Sequence, residues 1–438
     1  MFGQASNNRQ PPVQGALLTM SEAAREAFYE LVEPSVAATL PRDALLERVA
    51  NALDQLSSRR MLPYNRQELL LLGRQLVDEM VGVGPLQPLL DDPEVSDILV
   101  NGPDKVYVER HGKLVLSGVR FRDRQHVFNV AQRIVNAVGR RVDESTPMVD
   151  ARLADGSRVN VIAPPIALCG TSISIRKFPS SRLTLAHLVE KGALSDAMAR
   201  FLGLAARSRF NVLISGGTGS GKTTLLNALS KHINDDERII TIEDAAELSL
   251  EQPHWVPLET RNESAEGKGE VSVRALVRNA LRMRPDRIIL GEVRGAEAFD
   301  MLQAMNTGHD GSLCTLHANT PEDALLRLTN MLQMGAERLS EQIIQVQIAS
   351  AVDLVVQLER MRDGQRRITA ISEITALEGG QIRMQPLFRF VLESELHGKL
   401  QGRFMAHPLS AGVQEKARQA GLLPELQACM DEDGEEGA

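Results

Sequence analysis

Between Asn211 and Thr224 the chain reads NVLISGGTGSGKTT, and this stretch limits its fold more tightly than any other. The apolar run Val212 to Ile214 makes a buried strand. The pattern Gly216-x-x-x-x-Gly221-Lys222-Thr223 follows at once, and TTLLNALSKHI continues as a helix. A glycine-rich turn in that position lets backbone N–H groups converge on an anion without Cβ clashes, at a helix N-terminus that favours negative charge. In such a phosphate loop the lysine adds a point charge for the β- and γ-phosphates, and the threonine hydroxyl reaches Mg²⁺. The predicted nucleotide contacts are therefore Gly216, Gly217, Thr218, Gly219, Ser220, Gly221, Lys222, Thr223 and Thr224, with Thr223 on the metal side and ATP with Mg²⁺ as expected ligands. A chance match in a glycine-rich turn is the competing reading, and the strand and helix around the loop argue against it.

The rhythm around the loop is that of a parallel sheet with crossover helices: helix, strand, glycine loop, helix, then the strand of RIITIED. This third region, running to about residue 385, is read as α/β. Acids at the C-terminal ends of parallel strands fall on the ligand-binding edge. The run Ile239 to Ile242 ends in Glu243 and Asp244, so Glu243 is a candidate to orient attacking water or the metal's water shell. An acid-rich loop or a helix start is an equally good account of it. A second strand, in DRIILGEVR, presents Gly291 where a metal-holding aspartate is usual, and its acid comes next as Glu292. Glu292 could polarise the attacking water. Thr223, the phosphates and waters still suffice for Mg²⁺, so the glycine does not imply a dead site.

Before that strand, SVRALVRNALRMRP has a predicted buried stripe (Val273, Leu276, Val277, Ala280, Leu281). Arg274, Arg278 and Arg282 form a basic face, expected to be solvated or at a subunit contact. After it, His309 and His317 flank the strand-like SLCTL. Beside a nucleotide site a γ-phosphate contact or sensor role suits them; taken singly, each is more often structural. Zinc lacks support, because Cys169, Cys314 and Cys429 lie far apart and form no C-x-x-C pair.

Upstream, the Gln-, Asn- and Pro-rich residues 1–18 read as a flexible tail and residues 19–80 as a helical region. Residues 81–180 alternate in VSDILVNG, KVYVERHGKLVLSG, GSRVNVIAPP and SISIRKF around one amphipathic helix, giving a small α+β domain with an antiparallel sheet. A linker is expected at 181–186, and the ATPase domain with a C-terminal subdomain over 187–438. After residue 385 come short strand-like runs, a helix and the acidic end DEDGEEGA. Arg152, Arg158 and Arg176 are candidates to reach phosphates. The net charge of −8 and the 3% of aromatic residues argue against a nucleic-acid coat and against base-stacking platforms. No window has the roughly 20 apolar residues of a membrane span, and residues 1–20 have no signal-peptide core, so a cytoplasmic protein is expected.

Together GGTGSGKTT, TIEDAAEL and LRMRPDRIILGEVRGAEAFDMLQAMNTGHDGSLCTLHANTPEDALLRL resemble the type II/type IV secretion ATPase superfamily, over about residues 80 to 390. VGVGPLQPLLDDPEVSDILVNGPDKVYVERHGKL and LETRNESAEGKGEVSVRALVRNALRMRPDRIILGEVRG look most like its tight-adherence (Tad/Flp) pilus assembly ATPases. The resemblance implies a RecA-like domain preceded by a PAS-like α+β domain. It makes the loop a Walker A motif, Glu243 the Asp-box acid, Glu292 the catalytic carboxylate of an atypical Walker B, and His309 and His317 the His-box residues. It would have Arg152, Arg158 and Arg176 close on ATP, and it puts the arginine helix and Arg261 near subunit contacts. It also implies a homohexamer on the cytoplasmic side, peripheral to the inner membrane through pilus platform proteins, with no direct nucleic-acid partner. The alternatives are a type IV secretion or pilus-retraction ATPase, a nucleotide-gated scaffold without turnover, and a DNA-translocating ring.

Overall fold

The computed structural model describes residues 20–432 apart from 34–36, 38, 60, 111, 179–182, 262, 264–268 and 336–338. The tail expected over 1–18 and residues 433–438 of the acidic end lie outside the described residues. The chain divides into two compact units, Met1–Ser180 and Ser181–Ala438.

The first unit opens with helices Glu22–Leu31, Arg42–Ser58 and Arg66–Val81. Apolar residues recurring every three or four positions bring Phe28, Leu45, Val49, Leu53, Leu72 and Val77 into one buried cluster. Flanking residues set the ends. Ser21 Oγ accepts from the Ala24 amide, and Asn65 and Glu68 cap each other's backbone at the third helix. Six antiparallel strands follow: β1 Val95–Val100, β2 Val106–Arg110, β3 Lys113–Leu116, β4 Met148–Arg152, β5 Arg158–Ile162 and β6 Ser172–Arg176. Their order is β3-β2-β1-β6-β5-β4. Alternation gathers Ile98, Val108, Val161 and Ile175 into a core completed by Val127, Val130 and Ile134 of helix Arg124–Ala137. Strand β4 was not among the expected runs. It has no buried residue, so its pattern is weak, and pairing with β5 defines it.

The second unit holds β7 Val212–Gly216, β8 Ile239–Glu243, β9 Trp255–Glu259, β10 Arg287–Leu290, β11 Leu313–Leu316 and β12 Leu354–Arg360. It continues with β13 Arg366–Glu378, β14 Gln381–Leu396 and β15 Lys399–Ala406. One sheet takes all nine, in the order β15-β14-β13-β12-β7-β11-β10-β8-β9. From β12 to β9 the pairs are parallel; β12 to β15 pair antiparallel. Alternate residues divide between two cores. Val212, Ile214 and Ile289 pack with helices Asp196–Arg207 and Lys222–Ser230, whereas Leu213, Ile288 and Leu290 pack with Glu297–Asn306 and Pro321–Gly335. Strands covered on both faces read as continuous apolar runs, which is why β7, β8 and β10 were legible.

Two expectations change. Helix Leu185–Glu190 begins inside the expected linker 181–186, because Thr184 Oγ1 accepts from the His187 amide and starts the helix there. The boundary near 385 falls inside β14, and the runs beyond it are a long hairpin in the same sheet, turned at His397 and Gly398 with φ of 51° and 74°. Two helices, Ala411–Gln419 and Leu423–Glu432, then return to the core around Phe201. Among the described residues no helix is long and apolar enough to cross a membrane.

Candidate active site

The parallel order β7-β11-β10-β8 sets the C-terminal ends of four strands side by side. Those ends carry the glycine loop after β7, His317 after β11, Gly291 and Glu292 after β10, and Glu243 with Asp244 at β8. Distant segments of sequence therefore meet on the edge where open α/β sheets bind ligands.

The side chains at that edge form a continuous chain of contacts. Lys222, at the start of its helix, is 8% exposed. Its Nζ donates to the carbonyls of Gly216 (2.9 Å) and Gly217 (3.1 Å) and lies 3.3 Å from His317 Nδ1. His317 Nε2 is 3.1 Å from Glu292 Oε1. Glu292 Oε2 accepts from Arg294 Nη2 at 2.9 Å, and Arg294 Nη1 reaches Asp244 Oδ2 at 3.2 Å. An ammonium can only donate, so Nδ1 of His317 is the acceptor and its proton sits on Nε2, facing the carboxylate. Burial and the Lys222 charge lower the His317 pKa, which favours that neutral form. Burial would raise the Glu292 carboxyl, but the hydrogen bond and charge of Arg294, with His317 and Lys222, hold it below the usual range. Burial likewise lowers Lys222, against the pull of Glu292.

The loop glycines Gly219 and Gly221 take left-handed φ of 71° and 101°, as a turn from strand into helix requires. Gly291 has a different reason to be glycine. A Cβ there would lie 2.7 Å from Glu243 Cγ. Glu243 is 5% exposed, and its Oε1 accepts from the amides of Glu247 (2.9 Å) and Leu248 (3.1 Å). It holds the loop that follows β8, and its side chain fills the space a carboxylate at 291 would need. The acid of the β10 end therefore comes one residue later.

Not every expected residue joins this cluster. His309 precedes β11 and so lies at the opposite edge of the sheet from His317; its Nδ1 is 3.2 Å from the Ala304 carbonyl at a helix end. Arg152, Arg158 and Arg176 belong to the first unit, where register makes them one row: Arg152 opposite Arg158, Arg158 opposite Arg176, and Arg176 opposite Asp97. On the basic face Arg278 and Arg282 are exposed, as expected, and Arg274 is half-buried. Arg274 and Arg278 both donate from Nε to Asp300, at 2.6 and 2.7 Å, because helix Glu297–Asn306 packs alongside. Arg261 is exposed, and its Nε donates to the Gly269 carbonyl of its own loop. In the predicted stripe Val277 and Ala280 are fully buried, while Val273, Leu276 and Leu281 are partly buried against the same core. Sequence reasoning missed Arg294 and left Asp244 without a role; only the adjacency of β8 and β10 joins them.

Lysine, histidine and carboxylate side chains thus gather beside the glycine loop at one end of the sheet. The model of the Type II/IV secretion system protein family matches residues 79–384, and the chain belongs to that family of secretion ATPases. A candidate conjugal transfer protein of Mycobacterium tuberculosis is similar, 42% identical over 318 residues, or 71% of this chain and 90% of its own. The type IV secretion system protein VirB11 of Brucella suis is 32% identical over 342 residues, or 71% of this chain and 94% of its own. The crystal structure of the VirB11 ATPase from the Brucella suis type IV secretion system, in complex with sulphate, aligns at 31% identity over 66% of this chain and 94% of that one, with a TM-score of 0.36.

Proposed function

We propose that the chain is a motor ATPase with a RecA-like core. In this reading it works as a homohexamer and hydrolyses ATP to power assembly of a Tad/Flp-type pilus through an inner-membrane platform protein. The observation that carries the hydrolase reading is the unbroken contact chain from Lys222 through His317 to an ionised Glu292 at the strand edge. ATP would lie along residues 216–224, with Lys222 leaving the loop carbonyls for the β- and γ-phosphates. Glu292 takes a proton from water as the water oxygen bonds to the γ-phosphorus. The bond from that phosphorus to the bridging oxygen breaks, and ADP leaves with its electron pair. His317 holds Glu292 in place through Nε2–H and stands beside the phosphate that Lys222 neutralises. The Thr223 hydroxyl, partly exposed in the first helical turn beside Lys222, suits a cation's ligand, and Mg²⁺ held there with phosphate oxygens and waters would offset developing charge.

The remaining expected residues take narrower roles in this proposal. Glu243 acts by shaping the loop that bears Asp244. His309, at the far edge, supports a helix end. Arg152, Arg158 and Arg176 are assigned to phosphate contact.

The similarity to a conjugal transfer protein and to VirB11 favours a second reading, a type IV secretion ATPase. Capture of a pilus platform protein by the full chain supports the pilus reading, and capture of a conjugative channel component supports the second. The hydrolase itself is tested by steady-state ATP turnover beside nucleotide binding. Glu292→Gln should bind ATP and lose turnover by about a hundredfold or more, and Lys222→Ala should weaken both. A wild type that binds ATP with Mg²⁺ yet never turns it over, alone or with platform protein or DNA, would leave a nucleotide-gated scaffold.

A further inference from the structure

Glu292 lies two residues past the end of β10, just after a bend at Gly291. Its neighbours are pinned: the Gly291 amide donates to the Ile242 carbonyl (2.9 Å) and the Val293 amide to the Thr315 carbonyl (2.8 Å). The carboxylate itself is placed only by side chains. His317 meets Oε1, and Arg294 meets Oε2. Arg294 is fixed in turn, since its amide donates to Glu297 Oε1 at 2.6 Å and its other Nη reaches Asp244. Asp244 sits at the start of the loop that buried Glu243 holds by the Glu247 and Leu248 amides.

We propose that Arg294 is a positioning residue for Glu292. With one Nη on Glu292 and the other on Asp244, it straps the carboxylate to the end of β8 and keeps it aligned between His317 and the phosphate loop. This rests on Glu292 being the base of the proposed hydrolysis. Stability is not its business. Arg294 is 61% exposed and Asp244 44%, and exposed ion pairs contribute little to the fold. A planar guanidinium is suited to the task because it can serve two carboxylates at once, which a lysine cannot do in the same geometry. The charged groups around Glu292 are Arg294 on its own loop, His317 just after β11, Lys222 from its helix, and Asp244 and Glu297 acting on Arg294; Arg327 of helix Pro321–Gly335 acts on His317.

The test is the pH profile of ATP turnover by the full chain, with nucleotide binding and thermal melting measured on the same samples. Arg294→Ala should lower kcat about tenfold with KM changed less than about twofold. It should also move the acidic limb of kcat to higher pH, because a base that has lost a cation holds its proton more tightly. Arg294→Lys retains the charge and restores the limb but not the rate. Asp244→Asn separates geometry from charge: losing an acid cannot raise the limb, yet the strap loses its anchor and kcat falls several-fold. Wild-type rate and limb in Arg294→Ala overturn the proposal, and so does wild-type rate in Asp244→Asn. A joint loss of binding and melting temperature in Arg294→Ala, pointing to a structural role, also overturns it. If Glu292→Gln turns over normally, the base reading fails and takes this proposal with it. A dead Glu292→Gln beside an unaffected Arg294→Ala sinks the positioning role alone.

Discussion

At position 291 a single missing Cβ decides how the site is built. The space beside Gly291 belongs to Glu243, whose Cγ would stand 2.7 Å from any side chain there. Gly291→Ala should therefore destabilise the chain by about 1–3 kcal/mol, seen as a lower urea midpoint, since Glu243 is tied to two amides and cannot move freely. Gly291→Ala combined with Glu243→Ala should cost less than the two single changes added together, because the clash is shared. Strict additivity would show that the two side chains do not meet. From the sequence, Gly291 and Glu292 were visible as an irregular strand end, but the reason lay 48 residues upstream, across a strand pairing of Leu290 with Ile242.

The elements that bear the site rest on a buried ion pair at the opposite ends of the same strands. Arg287, fully buried at the start of β10, sends Nε and Nη2 to the two oxygens of Glu237, each at 2.7 Å, and Nη1 to the Ala206 carbonyl at 2.7 Å. Glu237→Gln leaves that guanidinium charged and buried without its counterion, and should cost about 3–5 kcal/mol in denaturant unfolding. Burial would raise the Glu237 carboxyl, but Arg287 and Arg209 hold it below its ordinary value of 4.5. A carboxylate depressed on folding adds stability that is complete above its unfolded pKa and fades as pH falls through the folded one. The wild type should thus lose stability on acidification below about pH 4.5 more steeply than Glu237→Gln, as urea unfolding at stepped pH will show. By contrast, Asn65→Ala removes one exposed helix cap and should cost only about 1 kcal/mol.

Over the whole molecule, the four apolar clusters each draw on one unit: two lie within the residues up to 180 and two beyond. A unit with its own core can fold by itself. Fragments 20–178 and 183–438 should each melt cooperatively by circular dichroism. The second should bind a fluorescent ATP analogue. A fragment 183–438 that stays unfolded would show that this unit depends on the first.

Short-range pattern alone determined the glycine loop after β7, the apolar parallel strands, the helix caps at Ser21 and Asn65 and the positions of the acids at the ends of β8 and β10. Each depends on periodicity or on a neighbour within four residues, which a linear reading captures. Tertiary structure alone decided which side chains each of those acids meets. It seated Glu243 against Gly291, gave Arg294 two carboxylates, parted His309 from His317 by the length of β11, folded Arg274 and Arg278 onto Asp300, and ranked three arginines in one row. All of these depend on strand order and register, which arise from burying two faces of one sheet at once and leave no trace in any single stretch of sequence.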